Sequence, residues 1–148
     1  MFEVKTYVLK KGFRKNLTKE DFFLCTDERF LEYITDTQYI DGMIEVLYYG
    51  EEVMGAKEWD LVDQLWLYFV DAFIQLKRQK SVGFFFPDQL LEVKMTNLNR
   101  DVLLFQIGNK KYCFPRMIFI RVMAEEAKRF FSVLGYQNEL DKIRLLLG

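Results

Sequence analysis

The 148-residue sequence contains no histidine and only two cysteines. Without histidine, the chain lacks the commonest general base near neutral pH and the commonest zinc ligand. This absence excludes Ser-His-Asp and Cys-His catalytic triads, and it excludes zinc sites that require histidine or four cysteines. Any catalysis would have to depend on carboxylate, lysine or tyrosine side chains, so the sequence predicts a protein that is not an enzyme.

Further absences concern the compartment and the possible ligands. Cys25 and Cys113 belong to no metal-binding or redox spacing motif, and we interpret them as free thiols in a reducing cytosol. No run of about 18 uncharged apolar residues is present, and the N-terminus alternates like a strand instead of following the order of a signal peptide. The chain also lacks a glycine-rich phosphate-binding loop. We therefore expect a cytoplasmic protein that contacts no membrane and carries no cofactor or metal.

The apolar content is high enough for a well-formed core. Apolar residues make up 51% of the chain and aromatic residues 17%, so a chain of this length needs no disulfide or metal to fold. We predict one α+β domain over residues 1–148. It should contain an antiparallel sheet, formed by a hairpin and a meander, with two main amphipathic helices packed on one face.

The pattern of apolar residues predicts the individual elements. Strands are expected at 2–9, 43–49, 53–54, 90–96, 101–107 and 110–115, with the hairpin turn at 50–52. One or two short helices, with Thr18 and Thr26 as their N-caps, should lie within 18–35. Longer helices are expected at 58–79 and 116–134, the second ending at Gly135, followed by a short helix at 138–147.

The stretch WDLVDQLW, residues 59–66, combines both tryptophans of the chain with two aspartates. At helical spacing, one broad face should be buried, and it consists of Val62, Leu65, Trp66, Phe69, Phe73 and Leu76. The opposite face should be exposed to solvent, and it consists of Asp60, Gln64, Leu67 and Asp71, with Asp63 at its edge. Asp60, Asp63 and Gln64 are also an alternative Mg²⁺ or Ca²⁺ site, since these ions prefer oxygen ligands.

Charge is unevenly distributed along the chain. Residues 27–71 hold twelve acidic and two basic residues, a net charge of −10, whereas residues 1–26 carry +3 and residues 72–148 carry +6. An acidic block repels nucleic acid and attracts a basic protein, although acidic residues on ordinary solvated faces give the same pattern. We predict that the partner-binding surface consists of Glu51, Glu52, Glu58, Asp60, Asp63 and Asp71.

Two other groups of residues have both a functional and a structural interpretation. Asp88, Glu92 and Lys94 superficially match the PD-(D/E)xK pattern of metal-dependent nucleases, but on one strand they would spread over about 20 Å and not converge on a metal. The aromatic run 84–86 is either a platform for a ligand or the apolar start of the sheet. Basic residues are not interleaved with aromatic ones, so we do not expect nucleic-acid binding.

Four stretches together carry a resemblance to a known group of proteins. They are GMIEVLYYG (42–50), WDLVDQLW (59–66), FPDQLLEVKM (86–95) and AEEAKRFFSVL (124–134). In this order they resemble small bacterial α+β proteins, among them the immunity proteins of polymorphic or contact-dependent toxin systems. The resemblance covers about residues 42–134 and implies a cytosolic antitoxin that binds a cognate toxin domain and occludes it. It assigns no binding residue. The alternatives are a non-enzymatic ligand-binding or regulatory module and, third, a carboxylate-metal hydrolase.

Overall fold

The computed structural model describes residues 1–10, 16–26, 32, 34 and 39–147. The fold is α+β, with antiparallel sheets and α-helices, as predicted. The strands form two sheets instead of one, and the chain divides into two compact units, Met1–Gln64 and Leu65–Gly148. That the whole chain is a single domain stays a prediction.

The first unit is built on an antiparallel sheet. Its strands are β1 (Phe2–Leu9), β2 (Phe22–Leu24), β3 (Asp41–Tyr48), β4 (Glu51–Met54) and the two-residue β5 (Asp60–Leu61). The order is β2-β1-β3-β4, and β5 pairs with the start of β3. The predicted strand at 2–9 and the predicted hairpin are confirmed.

The helix predicted to begin at Thr18 is wrong. Thr18 does make the predicted local contact, because its N–H donates to Asp21 Oδ2 at 2.8 Å, but the helical conformation stops after the short 3₁₀ turn Lys19–Asp21. The chain then enters β2, which pairs with the end of β1 and buries Phe22. Tertiary pairing of this apolar segment therefore overrides its local helical preference. The second short helix predicted after Thr26 falls mainly on residues outside those described.

One hydrophobic cluster lies on one side of the first sheet. Its buried members are Tyr7, Leu17, Phe22 and Met43, and the partly buried Leu9, Leu24, Ala56 and Trp59 pack against it. Strand alternation places these β1 and β3 side chains on the same face, since Tyr7 pairs with Met43 in the register. Trp59 is thus a half-buried core residue of this unit.

The second unit is a four-stranded meander with helices. Its strands are β6 (Ser81–Phe85), β7 (Glu92–Asn97), β8 (Val102–Ile107) and β9 (Lys110–Pro115), in that order. The helices are α1 (Val62–Gln75), whose first three residues belong to the first unit, α2 (Arg116–Leu134) and α3 (Gln137–Leu147). The three predicted strands of the meander and the bounds of α2 are confirmed, whereas β6 was not among the predicted strands. Gly135 ends α2 at a positive φ of 76°.

The two long helices pack on the same face of this sheet. The centre of the Phe69 ring of α1 lies 5.0 Å from the ring centre of Phe84 and 6.5 Å from that of Phe105. The ring centre of Phe119 in α2 lies 5.4 Å from that of Phe105. The predicted buried face of α1 is confirmed, with Trp66 fully buried. Among the described residues, no helix is both long and apolar enough to cross a lipid bilayer.

Candidate partner-binding surface

The tip of the β3–β4 hairpin presents a tyrosine in an unusual backbone conformation. Tyr48 pairs with Glu51, so the loop has two residues, Tyr49 and Gly50, with φ values of 51° and 81°. Positive φ at both positions matches the type I′ turns that favour Asn-Gly. A side chain other than glycine in this left-handed region costs about 1–2 kcal/mol. The Tyr49 side chain is nevertheless 70% exposed.

The turn lies one residue earlier than predicted, which places Glu51 and Glu52 in β4, where both are exposed. A short 3₁₀ turn, Ala56–Glu58, follows β4. The Glu58 carboxylate reaches back over this turn, and its Oε1 accepts a hydrogen bond from the Gly55 N–H at 3.2 Å. A side chain at position 55 would collide with the Glu52 carboxylate. Glu52 and Glu58 therefore approach the same glycine and bring two negative charges together. We call Tyr49, Glu51, Glu52 and Glu58 the hairpin surface.

The prediction that Asp60 and Asp63 face solvent is wrong. Asp60 is 2% exposed and Asp63 is 3% exposed. The predicted helix was extended too far toward the N-terminus: α1 begins at Val62, and Asp60 lies in β5, where its Oδ1 accepts the Leu61 N–H at 2.7 Å. Asp63 Oδ1 accepts the Ile40 N–H at 3.2 Å. Both carboxylates are hydrogen-bonded to backbone, as buried polar groups must be, and neither is available to a partner.

Asp71 belongs to the other compact unit and already has a partner. It lies on α1 in the second unit, and its carboxylate is already 3.6 Å from the Lys142 ammonium, with both side chains half-exposed. The predicted continuous acidic helix face therefore does not exist. Of the five predicted residues that lie in the first unit, Glu52 and Glu58 meet at Gly55, and the exposed Glu51 precedes Glu52 in β4, where strand alternation directs its side chain to the other face.

The two compact units carry opposite net charge. Residues 1–64 contain fourteen acidic and eight basic residues, a net charge of −6, and residues 65–148 contain eight acidic and thirteen basic residues, a net charge of +5. The overall charge of −1 is the near-cancellation of these two values. A field of one sign around the first unit favours a partner of the other sign.

An ion pair with a buried carboxylate joins the 3₁₀ turn Lys19–Asp21 to β3. The Lys19 ammonium lies 3.0 Å from Glu45 Oε2, and Glu45 is only 4% exposed. The Tyr7 hydroxyl donates to Glu45 Oε1 at 3.5 Å, and the Lys19 ammonium also lies 5.5 Å from the centre of the Tyr7 ring. Lysine, glutamate and tyrosine are the residue types that could perform acid–base chemistry in a chain without histidine.

Neither the phenol nor the ammonium of this cluster titrates near neutral pH. Burial raises the pKa of Tyr7 above its ordinary value of 10.0, and the hydrogen bond to Glu45 raises the pKa of Lys19 above 10.5. A general base at neutral pH needs a pKa near 7, so both shifts move these groups away from catalysis. The cluster instead holds the 3₁₀ turn against the sheet.

The two metal-site alternatives have no support in the geometry. Within the described part of the chain, no group of three or more His, Cys, Asp or Glu residues is arranged to hold a metal ion. Asp88 lies in the bend that precedes β7, and Glu92 and Lys94 alternate with buried residues on the solvent-facing side of that strand.

The two cysteines are both free, with Cys25 buried and Cys113 exposed.

The aromatic run 84–86 is divided between environments. Phe84 packs against Phe69, Phe85 is 55% exposed on the other side of β6, and Phe86 is buried. An open depression of about 180 Å³ does lie between α1 and β6, and it is lined by Tyr68, Asp71, Ala72, Gln75, Gly83 and Phe84. Only one ring of the run contributes to it. The three rings therefore do not form a common platform for a ligand.

Comparison of the chain with protein-family models, with curated proteins and with solved structures finds no match. The resemblance to immunity proteins stays a prediction, and function has to be inferred from the geometry and charge of this chain.

Sequence reasoning missed Tyr49, for which the signal was a Tyr-Gly pair between two alternating runs. It also missed the pairing of Lys19 with Glu45, for which the sequence carries no local signal.

Proposed function

We propose that this chain is a non-catalytic cytoplasmic binding protein that neutralises a basic toxin domain by occluding it, with the hairpin surface as the contact. The observation that carries the proposal is Tyr49. Its ring is 70% exposed although its backbone adopts a conformation that asparagine or glycine would adopt more easily. A protein tolerates such local strain where the side chain has a use, and exposed tyrosines are enriched among the residues that dominate binding energy.

The surroundings of Tyr49 suit a protein partner with positive charge. The ring is held by an edge-to-face contact with Tyr48, 4.7 Å between centres, and Tyr48 in turn lies 4.5 Å from Phe2. A supported aromatic ring is a suitable anchor, since little side-chain freedom is lost on binding. Glu51 and Glu52 follow the turn directly in β4, and they belong to a unit of net charge −6. Such complementarity accelerates association and selects the partner.

The first test is genetic. If the chain is an immunity protein, the reading frame next to its gene should encode a large protein with a variable C-terminal domain. Expression of that domain alone should arrest growth, and co-expression of this chain should restore it. A neighbouring domain that is harmless, or that this chain fails to neutralise, would refute the toxin-neutralising function.

The second test addresses the surface. Glu51→Lys/Glu52→Lys should abolish protection, and Tyr49→Ala should weaken it strongly, because charge and anchor are removed without touching a buried residue. Asp101→Lys/Glu125→Lys is the matched control: it makes the same charge change on exposed acidic residues of the second unit and should protect fully. Asp71→Lys should also protect. In kinetic binding measurements the parent's on-rate should fall with added salt. Full protection by the hairpin double variant would refute this surface.

A further inference from the structure

A pocket of about 240 Å³ lies within the second unit, where three helices meet. Its walls come from the C-terminal end of α1 and the turn that follows it, the first two turns of α2 and the last turn of α3. The hairpin surface belongs to the other unit, so an inference about this pocket is independent of the function proposed above.

The pocket has an apolar interior that continues to the protein surface. Phe73 is fully buried, while Met117 and Leu145 are 63% and 62% exposed although both line the pocket. Most large apolar side chains among the described residues are buried, and apolar residues exposed together at a cavity are typical of a surface that is covered by a ligand. The interior is therefore suited to an apolar group that enters from solvent.

All the charged residues that line the pocket are basic: Lys77, Arg116 and Arg121. Within the described part of the chain, neither arginine forms an ion pair, and the buried Nε of Arg116 has no hydrogen-bond partner. Lys77 donates one hydrogen bond to the Leu145 carbonyl, which leaves two of the three ammonium donors. The Arg116 Nε is buried whereas Lys77 and Arg121 are exposed, and a buried donor without a partner is rare, so this atom indicates an acceptor that comes from outside the chain.

The backbone of α2 adds positive potential at the same place. Arg116 and Met117 are the first two residues of this 19-residue helix, whose first turn contains no acidic residue and whose preceding Pro115 supplies no side-chain cap. The N-terminus of a helix carries partial positive charge, and the Arg116 N–H already donates to the Asp101 carbonyl at 2.9 Å, so the backbone contributes mainly its dipole. Side chains and backbone therefore favour an anion together.

We propose that this pocket binds a small amphipathic anion, with a carboxylate or phosphate head between Arg116, Arg121 and Lys77 and an apolar tail over Phe73, Met117 and Leu145. At about 30 Å³ per water-sized group, the volume of about 240 Å³ accommodates roughly eight heavy atoms, so a tail of that length fills it and the charged head lies toward the exposed Arg121. The ligand should therefore be short, with the size of a medium-chain acid or a substituted aromatic acid.

Octanoate, octyl phosphate, 1-octanol and acetate distinguish the contributions of head and tail. Titration calorimetry of the full chain should show one-to-one binding of octanoate or octyl phosphate, and the tighter of the two identifies the head group. Octanol lacks the charge and acetate lacks the tail, so each should bind at least about tenfold more weakly. With methyl-labelled methionine, the Met117 signal should shift on binding and the Met54 signal of the first unit should not.

Variants of the arginines test the residues directly. Arg116→Gln and Arg121→Gln should each weaken binding by about tenfold to hundredfold, since a charge-assisted hydrogen bond is removed. Arg100→Gln, an exposed arginine of the β7–β8 turn, is the matched control and should bind as the parent does. Arg121 is exposed, so its variant should fold even if the variant of Arg116 does not. The proposal is overturned if no probe binds, if octanol binds as tightly as octanoate, or if Arg121→Gln leaves binding unchanged.

Discussion

Replacement of Lys19 by methionine should destabilise the first unit, because Glu45 would keep a buried carboxylate without its cation. The two charged groups are 3.0 Å apart, and Glu45 is 4% exposed. Methionine retains the length and the apolar character of the lysine stem, so the change removes charge and hydrogen-bond donors with little loss of packing.

The magnitude follows from three opposing contributions. Two unit charges at 3.0 Å attract by about 5 kcal/mol at the effective dielectric constant of about 20 that applies near a protein surface. Ordering the lysine side chain costs up to about 2 kcal/mol, and the 55% exposure of Lys19 allows water to screen the pair further. A hydrogen bond between charged groups contributes a net value of about 1.5–3 kcal/mol. We therefore expect the free energy of unfolding to fall by about 1–3 kcal/mol.

The effect should depend on pH in a defined direction. The pKa of Lys19 is raised on folding, so its contribution is fully present below the unfolded-state value of 10.5 and is lost as pH rises through the folded-state pKa. Tyr7 acts in the same direction, since burial raises the pKa of its hydroxyl above 10.0 and the folded state holds the proton more tightly. The difference in stability between parent and Lys19→Met should thus be constant from pH 7 to about 9 and should shrink in stronger alkali.

Urea unfolding followed by tryptophan fluorescence measures this change, because Trp59 packs against the cluster that contains Tyr7. Lys57→Met is the control: it removes an exposed lysine of the same unit and should leave the midpoint unchanged. If Lys19→Met and Lys57→Met unfold at the same urea concentration, the ion pair of Lys19 with Glu45 does not stabilise the fold and the expected destabilisation is refuted.

Three further substitutions test other parts of the structure. Trp66→Ala should lower the free energy of unfolding by about 3–5 kcal/mol, since Trp66 is fully buried, and an unchanged urea midpoint would contradict that burial. Gly42→Ala should lower the free energy of unfolding by about 1–3 kcal/mol, because the added methyl would collide with the Tyr7 carbonyl and lie 2.8 Å from Val62 Cγ1. An unfolding temperature equal to that of the parent would contradict this close approach. Tyr49→Asn should leave stability nearly unchanged, because relief of about 1 kcal/mol of turn strain offsets a similar loss of ring contact, yet it should weaken toxin neutralisation. If Tyr49→Asn loses protection only to the extent that it loses stability, Tyr49 has only a structural role.

Elements defined by local patterns were predicted closely. The bounds of α2 match at both ends, since an amphipathic run and a terminal glycine lie within the segment itself. The start of α1 was predicted four residues too early, because Glu58 and Asp60 resemble helix-start residues while β5 pairing holds Asp60 in an extended conformation. The exposure of Glu51 and Glu52 was predicted from the hairpin pattern. The positive φ of Tyr49 was not predicted, because it depends on which two residues form the turn, and only the strand register decides that.

The sequence by itself determined the α+β class, the buried face of α1 and the acidic character of the first half, because each depends on composition or on neighbours a few residues apart. The lack of histidine alone removed whole classes of mechanism. Only the tertiary structure decided that Asp60 and Asp63 are buried, that Lys19 pairs with a carboxylate 26 positions away, and that Lys77 lines one pocket together with Arg116 and Arg121 of α2. These contacts depend on how strands align and how helices pack, and that alignment is selected by the burial of many side chains together. No single segment carries that information, because the free energy of long-range packing belongs to the whole folded arrangement.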